Sequence, residues 1–277
     1  MTSEQFKPNL DELLAAIGEA GQRMSNMQAS EGAAGNISVY IGWPVDVTGV
    51  FPLTEAIELP QPASLLANKL VIITGSGCRL RDIKTDPEAN LGVVAIGPDG
   101  RVGQLHTSPR RQFDRVTSEF NTHLDVHEYL VGRTATDFHA LIHAQPPHLV
   151  YLSHIPAYRD QQYFNRQLHR WEPEAIVEFP DPYGVGVLPF LVPSSNALRD
   201  ATVECMEDHR LVVWSKHGVV ARSLHSVADA ADLIEYAEAA ARYEYMDLAG
   251  GGKADGLTEE ELRAIAEAHL PTDLPGG

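Results

Sequence analysis

The chain has 277 residues, 44% of them hydrophobic, enough for one large domain or two small ones around a substantial core. Its 21 basic residues against 38 acidic ones, a formal charge of −17 without any basic run, argue against a nucleic-acid or anionic-membrane partner, since both need a positive face. Two cysteines, Cys78 and Cys205, cannot form a disulfide framework and are expected as reduced thiols.

The opening "MTSEQFKPNLDELLAAIGEA" has no cationic segment leading into an apolar one, and no run of about 18 apolar residues occurs, so a cytoplasmic location is expected. "NLDELLAAIGEAGQRM" has apolar residues at helical spacing and predicts a first helix, which leads into the turn and strand of "GAAGNISVYI". "LVIIT", residues 70–74, predicts a buried strand stopped by the glycines of "TGSG". Short strands are also predicted at "LGVVAI", "ALIHA", "AIVEF" and "RLVVW". A helix is expected over "TSEFNTHLDVHEYLV", with Thr117 and Ser118 as N-caps. Another spans "SVADAADLIEYAEAAARYEYMDL", with Val227, Ala231, Ile234, Ala237, Ala241 and Tyr245 at apolar positions, and ends at "AGGGK". Thr258 and Glu261 form a capping box for a last helix. With no repeat, low-complexity tract or long linker, residues 1–277 read as one domain, and the mixed order of strands and helices favours an α/β layered fold over a doubly wound one.

Three patches can carry chemistry. The first is a set of turns: "GAAGN" with Asn36 and Ser38, "TGSG" with Thr74, Ser76 and Gly77, and "TSE" with Thr117 and Ser118. Backbone N–H groups and hydroxyls in such turns cradle an anion without a lysine, although each alone reads as ordinary turn chemistry. None matches a nucleotide fingerprint. The second is "LIHAQPPH" with "WSKHG". On a strand, His143 and Gln145 face one side at roughly 7 Å between Cα atoms, and His217 is presented at a glycine turn. By spacing alone, structural histidines are the commoner explanation of such a pair. The third is Glu119 with His123 and His127 one and two helical turns on; by pattern alone it reads as a helix-dipole carboxylate beside a solvated or hydrogen-bonded stripe.

The ordered set "GAAGN", "VIITGSG", "DPEANLGVV", "TSEF", "LIHAQPPHL", "GVGVLPFLVP" and "LVVWSKHGVV" resembles the class II aldolase/adducin family over nearly the whole chain. The resemblance implies a central mixed, largely antiparallel sheet flanked by helices. It implies a divalent metal, typically zinc, at His143, Gln145 and His217, with Glu119 as acid/base. It also implies a phosphate site at Asn36, Ser76, Gly77, Thr117 and Ser118. The expected reaction is retro-aldol cleavage of a ketose 1-phosphate to dihydroxyacetone phosphate and a small aldehyde, lactaldehyde if the sugar is rhamnulose phosphate. In the family's rhamnulose phosphate branch a glutamate matching Glu174 acts across a subunit interface of a C4 tetramer, so a homotetramer with a shared site is expected. Two residues depart from that pattern. Gln145 stands at a histidine position, an amide oxygen suited to manganese or magnesium as well as zinc, and Glu119 can close the coordination sphere instead. Ala33 stands where the branch carries a second asparagine. Another metal-dependent sugar-phosphate lyase or epimerase, or a non-catalytic adducin-like module, are the alternatives; retention of Glu119, His143 and His217 disfavours the last.

Overall fold

Runs such as "NISVYI" and "LVIIT" are apolar at nearly every position because the sheet that they join is covered on both faces. The structure, a computed structural model, describes residues 7–270. Nine strands form one sheet: β1 (Asn36–Ile41), β2 (Leu53–Glu58), β3 (Leu70–Thr74), β4 (Leu91–Ile96), β5 (Val102–Thr107), β6 (Phe138–Ala144), β7 (Gly186–Leu188), β8 (Leu211–Trp214) and β9 (Gly218–Ser223). Their order is β2-β5-β4-β3-β1-β6-β9-β8-β7. Every pairing is antiparallel except β7 with β8. The expected α/β domain with a mixed, largely antiparallel sheet is what forms.

Side-chain alternation divides the core. Ile37, Val39 and Ile41 of β1 join Ala140 and Ile142 of β6 on one face, under the first helix, Leu10–Asn26, and the long helix Val227–Gly250. The opposite face carries Tyr40, Val71, Ile73 and Leu141 and is covered by the helix Phe120–Thr134 and by the helix Asn196–Cys205. The register pairs Asn36 with His143 and His143 with Val220, so these central residues share that second face.

The first helix is opened by an Asn9–Glu12 capping box, the long helix stops at Gly251 in the left-handed conformation, and the Thr258–Glu261 box opens Glu259–His269 as expected. "AIVEF" is not a strand. Pro173 occupies the first turn of a helix, Pro173–Glu178, and Ala175, Ile176 and Phe179 are buried at helical spacing. The helix expected from Thr117 begins at Phe120, with Glu119 rather than a hydroxyl residue at the N-cap position. Four strands escape the sequence reading: β2, at the sheet edge, is mostly exposed and neither it nor β5 presents an apolar run, β7 is only three residues long, and β9 follows "RLVVW" after a tight turn. Both cysteines are free, and burial pushes the Cys78 thiol up to about 11 and Cys205 up to about 12. No helix among the described residues is long and apolar enough to cross a membrane.

Candidate active site

The sheet centre presents its side chains to the start of the helix Phe120–Thr134, and there three of the expected residues converge. Glu119 Oε2 lies 3.6 Å from His143 Nε2, and Glu119 Oε1 lies 3.5 Å from His217 Nε2. One donor atom from each residue lies within 4.8 Å of the others. These two separations are too long for hydrogen bonds. They match the roughly 3.4 Å expected between ligand atoms that each sit about 2.1 Å from one tetrahedral cation. His143 Nδ1 bonds the Val219 carbonyl at 2.8 Å; a carbonyl only accepts, so Nδ1 carries a proton and Nε2 is the nitrogen turned towards Glu119. His217 is brought in by the tight β8–β9 turn, where its N–H bonds the Trp214 carbonyl and Lys216 takes a positive φ of 64°. Gly218 follows because a Cβ there meets the Ala144 carbonyl at 2.5 Å and the His143 ring at 2.7 Å. The Trp214 ring stacks on His217 and lies 4.7 Å from the His143 ring, which fixes both imidazoles.

The protonation states suit a cation. Burial raises the Glu119 carboxyl, but His143, the Asn36 amide and His217 outweigh it and hold Glu119 below the usual carboxylate range. Burial, helped by His143 and opposed by Glu119, lowers His217 to about 4. The group therefore offers a carboxylate and a neutral imidazole, the forms a metal binds.

Around this cluster lies a cavity of about 270 Å³. Ser76 and Gly77 form one wall, and Thr117 and Ser118 another. The Ser76 N–H bonds the Arg115 carbonyl and Thr117 N–H the Thr74 carbonyl, so the two turns are zipped side by side. Asn36 donates its amide to Glu119 Oε2 at 3.0 Å and leaves Oδ1 buried without a partner. Among the described residues the lining contains neither Lys nor Arg. A larger cavity of about 530 Å³, walled by Trp43, Phe138 and Val227 on the opposite face, gathers no such set of donors.

Residues 15–245 match the Class II Aldolase and Adducin N-terminal domain. This chain belongs to the class II aldolase and adducin N-terminal domain family. It is 36% identical over 219 residues to the rhamnulose-1-phosphate aldolase of Escherichia fergusonii, covering 79% of this chain and 78% of that one. Against the rhamnulose-1-phosphate aldolase of Klebsiella pneumoniae the identity is 35% over 212 residues, 76% and 75% of the two chains. A crystal structure of a sugar-phosphate aldolase from Thermotoga maritima shares the fold with a TM-score of 0.72 at 26% identity, over 89% of this chain and 99% of that one. The expectation of an enzyme, a lyase of the class II aldolase kind, is met. Class II aldolases use a divalent metal, and the Glu119–His143–His217 group of this member can hold one.

Other expected residues fall elsewhere. Gln145 lies one residue beyond the end of β6, where its N–H bonds the Ala29 carbonyl, so strand alternation no longer aims it with His143. It is not among the residues that line the cavity, although a Cβ at Gly218 would meet its Cγ at 3.2 Å and the His143 ring at 2.7 Å; Glu119 brings a carboxylate to the two histidines. Glu174 sits exposed on Pro173–Glu178, away from the cavity of its own chain. Thr74 and Ser38 are structural: Thr74 Oγ1 bonds the N–H and carbonyl of Ile37.

Ser38 belongs to a buried chain that the sequence did not disclose. Its Oγ lies 2.6 Å from His123 Nδ1 and 2.7 Å from His127 Nε2, and His127 Nδ1 lies 2.7 Å from His139 Nδ1. Burial lowers His123 to about 4 and His127 and His139 well below the ordinary value, so the stripe is hydrogen-bonded and neutral rather than solvated. Only the helical spacing of His123 and His127 hinted at it; His139 comes from β6. Ser194 is a second omission. It lines the cavity from the loop after β7, a stretch in which no site residue was expected.

Proposed function

We propose that this chain cleaves a ketose 1-phosphate between its third and fourth carbons, giving dihydroxyacetone phosphate and a small aldehyde, lactaldehyde if the sugar is rhamnulose 1-phosphate. The observation that carries the reading is the convergence of Glu119, His143 and His217 in one cavity with the paired turns Ser76–Gly77 and Thr117–Ser118. The names of the relatives at 35–36% identity support it.

His143, His217 and, in the resting site, Glu119 hold the divalent cation, zinc by the imidazole content of the set, with manganese or magnesium compatible with the carboxylate. When bound, the cation supplies Lewis-acid stabilisation of negative charge developing on substrate oxygen. The two turns and their hydroxyls hold the phosphate. Glu119, kept ionised, takes and returns the proton at the carbon whose bond breaks or re-forms. Asn36 steadies its carboxylate through Oε2, and the unpartnered Oδ1 suits a substrate hydroxyl better than a phosphate oxygen, which cannot donate. Glu174 belongs to this proposal only as a residue given by a neighbouring subunit of a homotetramer, where it assists the aldehyde oxygen. A cytoplasmic location is part of the same reading.

The test is turnover of a panel of ketose 1-phosphates with the aldehyde trapped by a coupled reductase, alongside elemental analysis of the purified protein. Metal-dependent aldehyde release supports the assignment. Turnover of a sugar phosphate without aldehyde makes the protein another sugar-phosphate lyase or an epimerase.

A further inference from the structure

Ser194 occupies a position built for glycine. The Ser195 N–H bonds the Val192 carbonyl at 3.1 Å, closing a turn with Pro193 second and Ser194 third, and Ser194 has φ of +61°. Such turns need a positive φ at the third position, which disfavours any residue with a Cβ. The loop is nevertheless pinned there: Asn121 Nδ2 donates to the Ser194 carbonyl at 3.1 Å, and Arg199 of the following helix pairs with Asp125 at 3.1 Å, both partners standing on the helix that starts beside Glu119. The consequence is that the Ser194 hydroxyl lies 3.1 Å from Ser118 Oγ on the solvent-exposed side of the cavity wall.

Two hydroxyls sharing one hydrogen bond leave a second O–H free to donate, and they do so in a site whose lining holds no Lys or Arg among the described residues. A phosphate bound there is neutralised by dipoles alone, so each neutral donor counts for more than it does beside a cation. We infer that Ser194 is a specificity-determining phosphate contact, pairing with Ser118 to donate to the phosphoryl group of the substrate. This rests on the phosphate end of the function proposed above and adds a residue from a different segment of the chain to the two turns.

The test uses the metal-loaded enzyme with Ser194→Gly and Ser194→Ala. Glycine removes the hydroxyl and relaxes the turn; alanine removes the hydroxyl and keeps the backbone constraint. Both are expected to weaken inorganic phosphate binding, measured by calorimetry, by about tenfold, the size of one hydrogen bond to an anion. Both are also expected to raise KM for the ketose 1-phosphate by a similar factor with kcat within about twofold of the parent. Parent-like phosphate affinity in both folded variants overturns the contact, and a change in only one of them assigns the effect to the turn and overturns it as well. A parent that binds no phosphate at all is a different result: it removes the phosphate cradle of the proposed function, and this contact with it.

Discussion

Glu119 combines features that seldom coexist: it is 5% exposed, it stands at the start of a helix, and it is held ionised by an amide and two imidazoles. Glu119→Gln preserves the shape and the bond from Asn36 but cannot carry a proton. Turnover is expected to drop by on the order of 10² or more with the melting temperature little changed, and activity within a few-fold of the parent removes Glu119 as acid/base. The ligand set makes a second prediction at this scale. His143→Ala is expected to lose bound metal and turnover together, because the imidazole fixed by Val219 has no substitute nearby. Gln145→Ala is expected to keep the metal, as the glutamine lies outside the cavity. Elemental analysis after dialysis against graded chelator compares the variants, and metal loss in the second returns Gln145 to the ligands.

At the scale of elements, the site depends on how close two turns approach β6. The β8–β9 hairpin brings His217 over the sheet only because Gly218 lets its backbone pass the Ala144 carbonyl and the His143 ring. Gly218→Ala places a methyl group 2.7 Å from the His143 Cε1 atom, so the imidazole or the hairpin must shift. Metal affinity is expected to fall by at least tenfold, with secondary structure by circular dichroism unchanged; a variant that binds metal like the parent shows that the hairpin gives way without moving the ligands. The entry to β1 is constrained in the same way: Gly35 has φ of +84°, and a Cβ there meets the His143 carbonyl at 2.9 Å.

At the scale of the molecule, the neutral histidines beneath the site tie stability to pH. Their folded-state values are depressed, so below about 6.5 the unfolded chain takes up protons that the fold refuses. Their contribution is complete above that value and is lost as pH falls, by about 1.4 kcal/mol per pH unit for each histidine, until the folded value is reached, about 4 for His123. Denaturant midpoints of chelator-treated protein are therefore expected to decline steeply between pH 6.5 and 4.5, and a flat profile contradicts the buried neutral stripe. Assembly gives the other prediction. If Glu174 serves a neighbour's cavity, Glu119→Gln and Glu174→Gln proteins, mixed and allowed to exchange subunits, are expected to recover activity through hybrid oligomers. Mixtures no more active than the separate variants, with exchange demonstrated, place each site within one chain.

The sequence by itself determined the elements whose patterns are local: the first and long helices with their caps, the apolar central strands, and the α/β class, because helical spacing, capping residues and continuous apolar runs act over a few residues. It also held Glu119, His143, His217 and the Ser76 and Thr117 turns in recognisable motifs. Tertiary structure alone decided which of these meet. The resemblance puts Gln145 among the ligands, but β6 ends one residue before it, and it is Glu119, 26 residues upstream, whose carboxylate meets His143 and His217. "AIVEF" has the composition of a strand, yet Pro173 and the packing of Ala175, Ile176 and Phe179 make it a helix. His139 and Ser194 carry no local signal, and Ser38, read as part of the "GAAGN" turn, gave none for its place among the histidines, because these roles arise from contacts 73 to 89 residues apart in the chain or from one strand lying under a helix. Long-range packing has no periodicity to read, and that is why the site's individual residues were legible and its completed shape was not.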